Sequence, residues 1–239
     1  MLSRLAVHPF AVEAFFDYSL VITIAVRKEE LEPYVPSFLD LDVMHNRWAF
    51  LAIAAVQTKS LRPKGFPKFM GRNFFLIGYR LFTRYTDKKG KTRRGLYILK
   101  SQTDSRSMLF LGSIFTKYRY EKVKVTQLLT NQELRIDSKD FSVDVKLAAT
   151  DFIPPPESSP FDDWKEARKF AGPLPFTFSE ADGGVLMVEG VRSNWDPRPV
   201  EVVDFRSDFL KSLGFKSAKL ASAFLVSNIP YYWKKGSIA

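Results

Sequence analysis

Between residues 73 and 85 the chain is apolar at almost every position, with Phe74, Leu76, Gly78 and Phe82 on one parity and Phe75, Ile77 and Tyr79 on the other. Successive side chains of an extended chain point to opposite faces, so this run predicts a strand that is apolar on both sides. Among these apolar members of the first row stands Arg80. Residues 92–102 form a second β-prone run, and the Asp-Lys-Lys-Gly stretch at 87–90 between the two runs is a hairpin signal. A turn centred on Lys88 and Lys89 sets Tyr97 across from Arg80, with Leu99 and Ser101 continuing that row and Lys100 on the opposite face.

The rest of the chain reads in the same way. Residues 17–26 and 48–58 are rich in apolar and β-branched residues and predict strands. The charged stretch 27–34 predicts a short helix, limited by Pro33 and Pro36, while 59–72, with two prolines and two glycines, predicts a loop. Strands are expected over 108–120, 123–130, 133–136 and 141–148, the last two joined across 137–140. The proline-rich segment 153–160 leads into a helix over 161–170, with Asp162 and Asp163 in its first turn. Strands over 185–191, 199–203, 220–226 and 231–233 follow, with a helix over 207–213 stopped by Gly214. Many strands and few short helices predict an α+β fold. We expect a mainly antiparallel, curved sheet closing into a barrel or cone, with residues 1–239 as a single domain.

Composition narrows the chemistry. The chain has no cysteine and two separated histidines, His8 and His45, so a disulfide framework, a thiolate nucleophile and a zinc site are not expected, and no cofactor is implied. Neither a G-x-S-x-G elbow nor a glycine-rich phosphate loop occurs. Arg4 is followed by Val7-His8-Pro9 and then Glu13 and Asp17, which argues against a secretory leader, and the most apolar window, 20–26, is too short to span a bilayer. A cytoplasmic location is the resulting expectation. Of the formal charge of +10, residues 59–94 carry twelve Lys or Arg against one acid, Asp87. Such a patch suits nucleic acid, an anionic membrane or an acidic partner. A solvated hairpin tip and loop is the favoured explanation, because no nucleic-acid-binding signature accompanies the charge.

Arg80 is the sharpest candidate. An enclosed guanidinium requires an anion, and a ligand carboxylate satisfies it through a two-pronged hydrogen bond. An internal salt bridge, or an outward-facing position on the two-sided strand, would satisfy it as well. Tyr97 offers a hydroxyl to the same ligand or simply an aromatic wall. Trp195 suits a pocket rim and Asp196 a salt bridge.

Several pieces now line up along the chain: the strand-helix-strand opening at 19–54, Tyr79-Arg80, Arg94-Gly95-Leu96-Tyr97, Thr116-Lys117-Tyr118 and the Asn194-Trp195-Asp196-Pro197 turn. In that order they resemble an uncharacterised bacterial branch, a domain of unknown function, of the acetoacetate decarboxylase-like superfamily. The resemblance covers nearly the whole chain and implies a β-barrel with an internal pocket. It also implies a Schiff-base lysine activated by a neighbouring lysine, within a Gly-aromatic-Pro-Lys-Lys motif that falls near residues 115–119. The lysine slot there holds Tyr118 and the next one Arg119; a shift of one residue places Lys117 in the slot instead. Parity favours the tyrosines inside, and a bulge near Tyr120 reconciles them with Val123 and Val125. The family's pocket glutamate is replaced by Leu76 or Ile77.

The resulting expectation is a pocket that binds a small carboxylate or keto-acid-like molecule, with Arg80 as anchor, Tyr97 and Tyr118 in contact and Leu76 in the wall. If the protein is an enzyme, it is lyase-like without the paired lysines, with Lys117 or Tyr118 as catalytic candidates. Tyr118 serves as a proton donor only with a pKa well below 10. The alternatives are a non-catalytic scaffold or regulatory module, and an accessory protein using the basic 59–94 stretch for an anionic partner. Homo-oligomerisation is left open.

Overall fold

The computed structural model describes residues 7–147, 153–170 and 174–239; Arg4 and Ala148, used in the expectations above, lie outside the described residues. The first half contains β1 (Val12–Arg27), α1 (Lys28–Leu31), β2 (Asp40–Leu41), β3 (Trp48–Pro63), β4 (Arg72–Thr86) and β5 (Thr92–Thr103). Next come α2 (Arg106–Phe115), β6 (Tyr120–Lys122), β7 (Val125–Leu129), β8 (Glu133–Ser138) and β9 (Phe141–Lys146). The remainder supplies α3 (Trp164–Phe170), β10 (Phe176–Ala181), β11 (Gly184–Arg192), β12 (Arg198–Pro199), β13 (Glu201–Ser207), α4 (Asp208–Ser212), β14 (Lys219–Trp233) and β15 (Ser237–Ile238).

The large sheet is ring-like. Pairing runs β14, β1, β3, β4, β5, β10, β11, and β11 pairs again with β14 through Gly190 with Trp233, Val191 with Tyr232 and Arg192 with Tyr231. All of these ring pairings are antiparallel except β5 with β10. A second sheet, in the order β13, β9, β8, β7, lies against the outside of the ring. Its buried alternate residues Leu134, Ile136, Phe141, Val143 and Val145 join one apolar cluster with Leu20, Ile22, Leu51, Ile53, Phe75, Ile77, Tyr79 and Leu81 of the ring. Burying a side chain of this size contributes roughly 1.5–3 kcal/mol. Strand β4 is thus enclosed on both faces: the 75, 77, 79 row by the second sheet, the 74, 76, 80, 82 row by the ring interior.

Three expectations are corrected. Residues 106–115 form helix α2 rather than a strand, with the Ser105 hydroxyl accepting a hydrogen bond from the Met108 N–H. Its inward residues Met108, Gly112 and Phe115 have helical spacing, but the apolar neighbours between them mask the period. Strand β3 continues through Pro63, so only 64–71 remains of the long loop. The two expected C-terminal strands are one, β14, with Asn228 at φ 55 inside it. Strand β10 was not anticipated.

A polar clasp fixes the end of β2 to the ring. Asp42, fully buried, accepts from Arg84 Nη2 at 2.5 Å and from Arg94 Nε at 2.5 Å. Arg94 also donates to the Phe170 carbonyl at 2.6 Å.

Candidate functional site

The ring is not filled by its own side chains. The outward row of β1 is Leu20, Ile22, Ile24 and Val26, whereas its other face carries Ser19, Val21, Thr23 and Ala25; β3 adds Ala52 and Ala54 to that inner face, and β4 adds Gly78. Small residues facing inward leave a cavity of about 330 Å³, near the lower end of the range for small-molecule sites. This contrast in size between the two parities is a sequence signal that could have located the cavity.

Arg80 lines it. Its neighbours across the sheet are Ala52 and Ile98, too small or too apolar to pair with it. The guanidinium folds back over Gly78: a Cβ there would lie 3.0 Å from Nε and 3.2 Å from Nη2. Nε is buried without a hydrogen-bond partner, and burial lowers the Arg80 pKa from its ordinary value. Arginine nonetheless stays charged. Among the described residues lining the cavity there is no aspartate, glutamate or lysine. The internal salt bridge weighed as an alternative is therefore not formed.

Tyr118 and Tyr120 line the cavity beside Arg80, and Leu76 forms part of its wall. Burial pushes the Tyr118 pKa up, and that of Tyr120 to about 12. Thr177 lines the cavity with Tyr118. The condition for Tyr118 as a proton donor to substrate at neutral pH, a depressed pKa, is reversed. Its neutral hydroxyl remains a hydrogen-bonding group. Lys117 is exposed and does not line the cavity, so the parity reading places the tyrosines inside. Arg119, at φ 48, is the backbone irregularity between them.

Tyr97 is elsewhere. The hairpin turn is one residue longer than expected, with Gly90 at φ 78 and the Asp87 carboxylate accepting from the N–H groups of Lys89 and Lys91. Tyr97 consequently pairs with Leu81, and Ile98 faces Arg80. That slip of one turns Tyr97 out of the cavity, where it packs against the outer cluster. A shift in register between Tyr79 and Arg80 then returns Ser101 to the inside, across from Gly78. Lys100 lies opposite Tyr79 and pairs with Glu121 at 2.7 Å.

Four further cavity residues were not proposed as ligand contacts from sequence. Arg192 ends β11, lies over the Trp195 ring at 4.2 Å and over that of Tyr231 at 5.6 Å, and has its pKa lowered by burial. Tyr231 is stacked on Phe16, with ring centroids 4.9 Å apart. Trp195 does reach the cavity. His8 contributes a buried Nδ1 without a partner, and burial lowers its pKa, so it is neutral at pH 7.

The basic stretch does not form one surface. Lys64 and Lys68 lie in the 64–71 loop and Lys88, Lys89 and Lys91 in the 87–91 turn, at opposite ends of β4, up to roughly 45 Å apart along a strand of this length, and the other basic residues are spread along β3, β4 and β5. Lys59 pairs with Asp17, Arg62 with Glu13, Arg84 and Arg94 with Asp42, and Arg93 with Asp87.

Tyr120 depends on Gly112. A Cβ at that position would sit closer to the Tyr120 ring than any real Cβ contact. Gly112→Ala is expected to cost about 1–3 kcal/mol through overpacking and to swing the ring away from Arg80. Chemical denaturation reads the first effect, and an unchanged midpoint contradicts it.

The comparisons with known proteins agree with this architecture. The model of the family DUF2071, described as an uncharacterized conserved protein, matches residues 16–235. No curated protein sequence matches the chain. An acetoacetate decarboxylase from Legionella pneumophila superimposes with a TM-score of 0.63 at 10% identity, covering 97% of this chain and 88% of that one. An acetoacetate decarboxylase-like enzyme from Sphingomonas wittichii RW1 gives 0.58 at 10% identity, covering 97% and 93%. The enduracididine biosynthesis enzyme MppR, complexed with pyruvate, gives 0.52 at 9% identity, covering 95% and 90%. At such identities the likeness is one of fold, here the acetoacetate decarboxylase-like fold.

Proposed function

The chain belongs to the DUF2071 family, and from that premise we propose that it binds a small carboxylate or keto-acid anion inside its ring, without a covalent lysine intermediate. The observation that carries this reading is Arg80: a half-buried arginine whose enclosed Nε is unpartnered, in a cavity whose described lining holds no acid. A buried charge of this kind is costly until a counter-ion arrives, and a carboxylate supplies both the charge and two acceptors. Tyr118 and Tyr120, kept neutral, add hydroxyl donors, and Leu76 with its aromatic neighbours supplies the apolar wall. The pyruvate held by MppR, a structural neighbour, is a ligand of the same chemical class.

The Schiff-base lysine implied by the superfamily resemblance has no counterpart among the described cavity residues, so the proposal is one of binding rather than of that decarboxylation. Titration with pyruvate by calorimetry, followed by borohydride reduction and intact-mass measurement, separates the two. The expected result is saturable, salt-sensitive binding with no mass increase, unchanged in Lys117→Ala. A reduced adduct on any lysine would overturn the non-covalent reading, and an absence of binding would overturn the anion site.

A further inference from the structure

Arg80 is not the only cation in the cavity. Of the four arginines in its lining, Arg62 is neutralised by Glu13 at 2.7 Å and Arg72 is exposed. Arg80 and Arg192 are left, and neither forms an ion pair with a carboxylate among the described residues. They come from different strands, β4 and β11, and converge on the same interior. Arg192 lies over the Tyr231 ring at 5.6 Å, and the charge on Arg80 disfavours that on Arg192. Two half-buried like charges lining one largely apolar cavity repel more strongly than they would in open water. A singly charged ligand leaves one of them unanswered.

We propose that the ligand carries two negative charges, as a short dicarboxylate or keto diacid, with one carboxylate on Arg80 and the other on Arg192. The inference rests on the anion-site reading above and adds the second charge to it. Both guanidinia then gain the acceptors that the protein itself withholds. The cavity limits the rest of the molecule: about 330 Å³ suits a chain of a few carbons rather than a long acyl tail. Trp195 and Tyr231 hold the Arg192 guanidinium against their ring faces, which positions a cation while leaving its N–H edge available.

The test uses two probes that differ only in the distal group, 2-oxoglutarate and 2-oxopentanoate, titrated into wild type, Arg192→Met and Arg80→Met. Wild type is expected to bind 2-oxoglutarate about 30-fold more tightly, the effect of one additional charge-assisted pair. Arg192→Met is expected to remove that preference while leaving the affinity for 2-oxopentanoate unchanged, and Arg80→Met to weaken both probes. Arg192→Gln carries the same expectation as Arg192→Met and serves if the methionine variant does not fold. Equal wild-type affinity for the two probes overturns the two-charge proposal. So does equal weakening of both by Arg192→Met, which would mean that a single carboxylate is shared by the two arginines. If neither probe binds wild type, the anion-site reading itself fails, an outcome distinct from both of these.

Discussion

Arg80→Met is expected to weaken carboxylate binding at least thirtyfold and, in the same protein, to raise the melting temperature of the ligand-free state. The two effects share one cause. Arg80 is half-buried, its Nε is buried without a hydrogen-bond partner, and no acid lines the cavity among the described residues, so the fold bears a partly desolvated charge without a counter-ion. Methionine has a similar length, no charge, and fills the same space among Ala52, Ile98 and Gly78. Replacing buried ionic groups with apolar ones of similar volume is often stabilising, here by about 1–3 kcal/mol. For a chain of this size that corresponds to a rise of roughly 2–4 °C per kcal/mol. Removing one partner of a buried charge pair costs about 2–5 kcal/mol of binding, at least a thirtyfold loss of affinity for pyruvate. Calorimetric titration and a thermal melt of one preparation test both halves. Normal binding by the variant would remove Arg80 as the anchor. Loss of binding together with a lower melting temperature would show instead that the guanidinium holds the fold.

Asp42→Ala has the opposite character. Here the charges are paired, and the acid is the enclosed partner: Asp42 is fully buried, while the side chains of Arg84 and Arg94 keep 43% and 37% of their exposure. Deleting the carboxylate leaves two guanidinia facing each other across β4 and β5, where Arg84 and Arg94 are directly paired. It also loosens Arg94 from the Phe170 carbonyl and from the Phe170 ring, 5.0 Å away. Breaking a buried pair by removing one member costs about 3–5 kcal/mol, and because both arginines reach water the lower end is expected. Asp42→Asn, which keeps the shape and part of the hydrogen bonding, is expected to lie between wild type and alanine. Urea denaturation gives the order; a loss below about 1 kcal/mol for Asp42→Ala, the level of an exposed pair, would mean that the clasp is superficial.

The sheet was legible in the sequence because β-branched and aromatic runs punctuated by glycine and proline carry their own signal. The inward row of β4 could be read from parity, and so could the placing of Tyr118 inside and Lys117 outside. Tyr97 was misplaced by one position because a hairpin turn can absorb an extra residue without changing the apolar pattern on either side. Helix α2 was hidden for a related reason: a segment apolar at nearly every position has no dominant period. Arg192, Tyr231 and Asp42 were out of reach altogether, since the pairings of Arg192 with Tyr231 and of Asp42 with Arg84 and Arg94 join residues distant in the chain, on strands that local sequence cannot pair.

The closure of the ring bears on when this site comes into being. Arg192 and Tyr231 are directly paired where β11 meets β14, and β14 also pairs along the length of β1, so Trp233 lies beside Val12. These are among the least local contacts of the chain, and contacts of that kind carry the largest loop-closure entropy and set the pace of folding. During synthesis, strands β1, β3, β4 and β5 can assemble as successive antiparallel neighbours while Arg80 still faces open water and has no charge to bury. Only when β14 emerges and zips against both β1 and β11 is the arginine sealed in. Enclosure of the arginine therefore depends on the least local pairings of the chain.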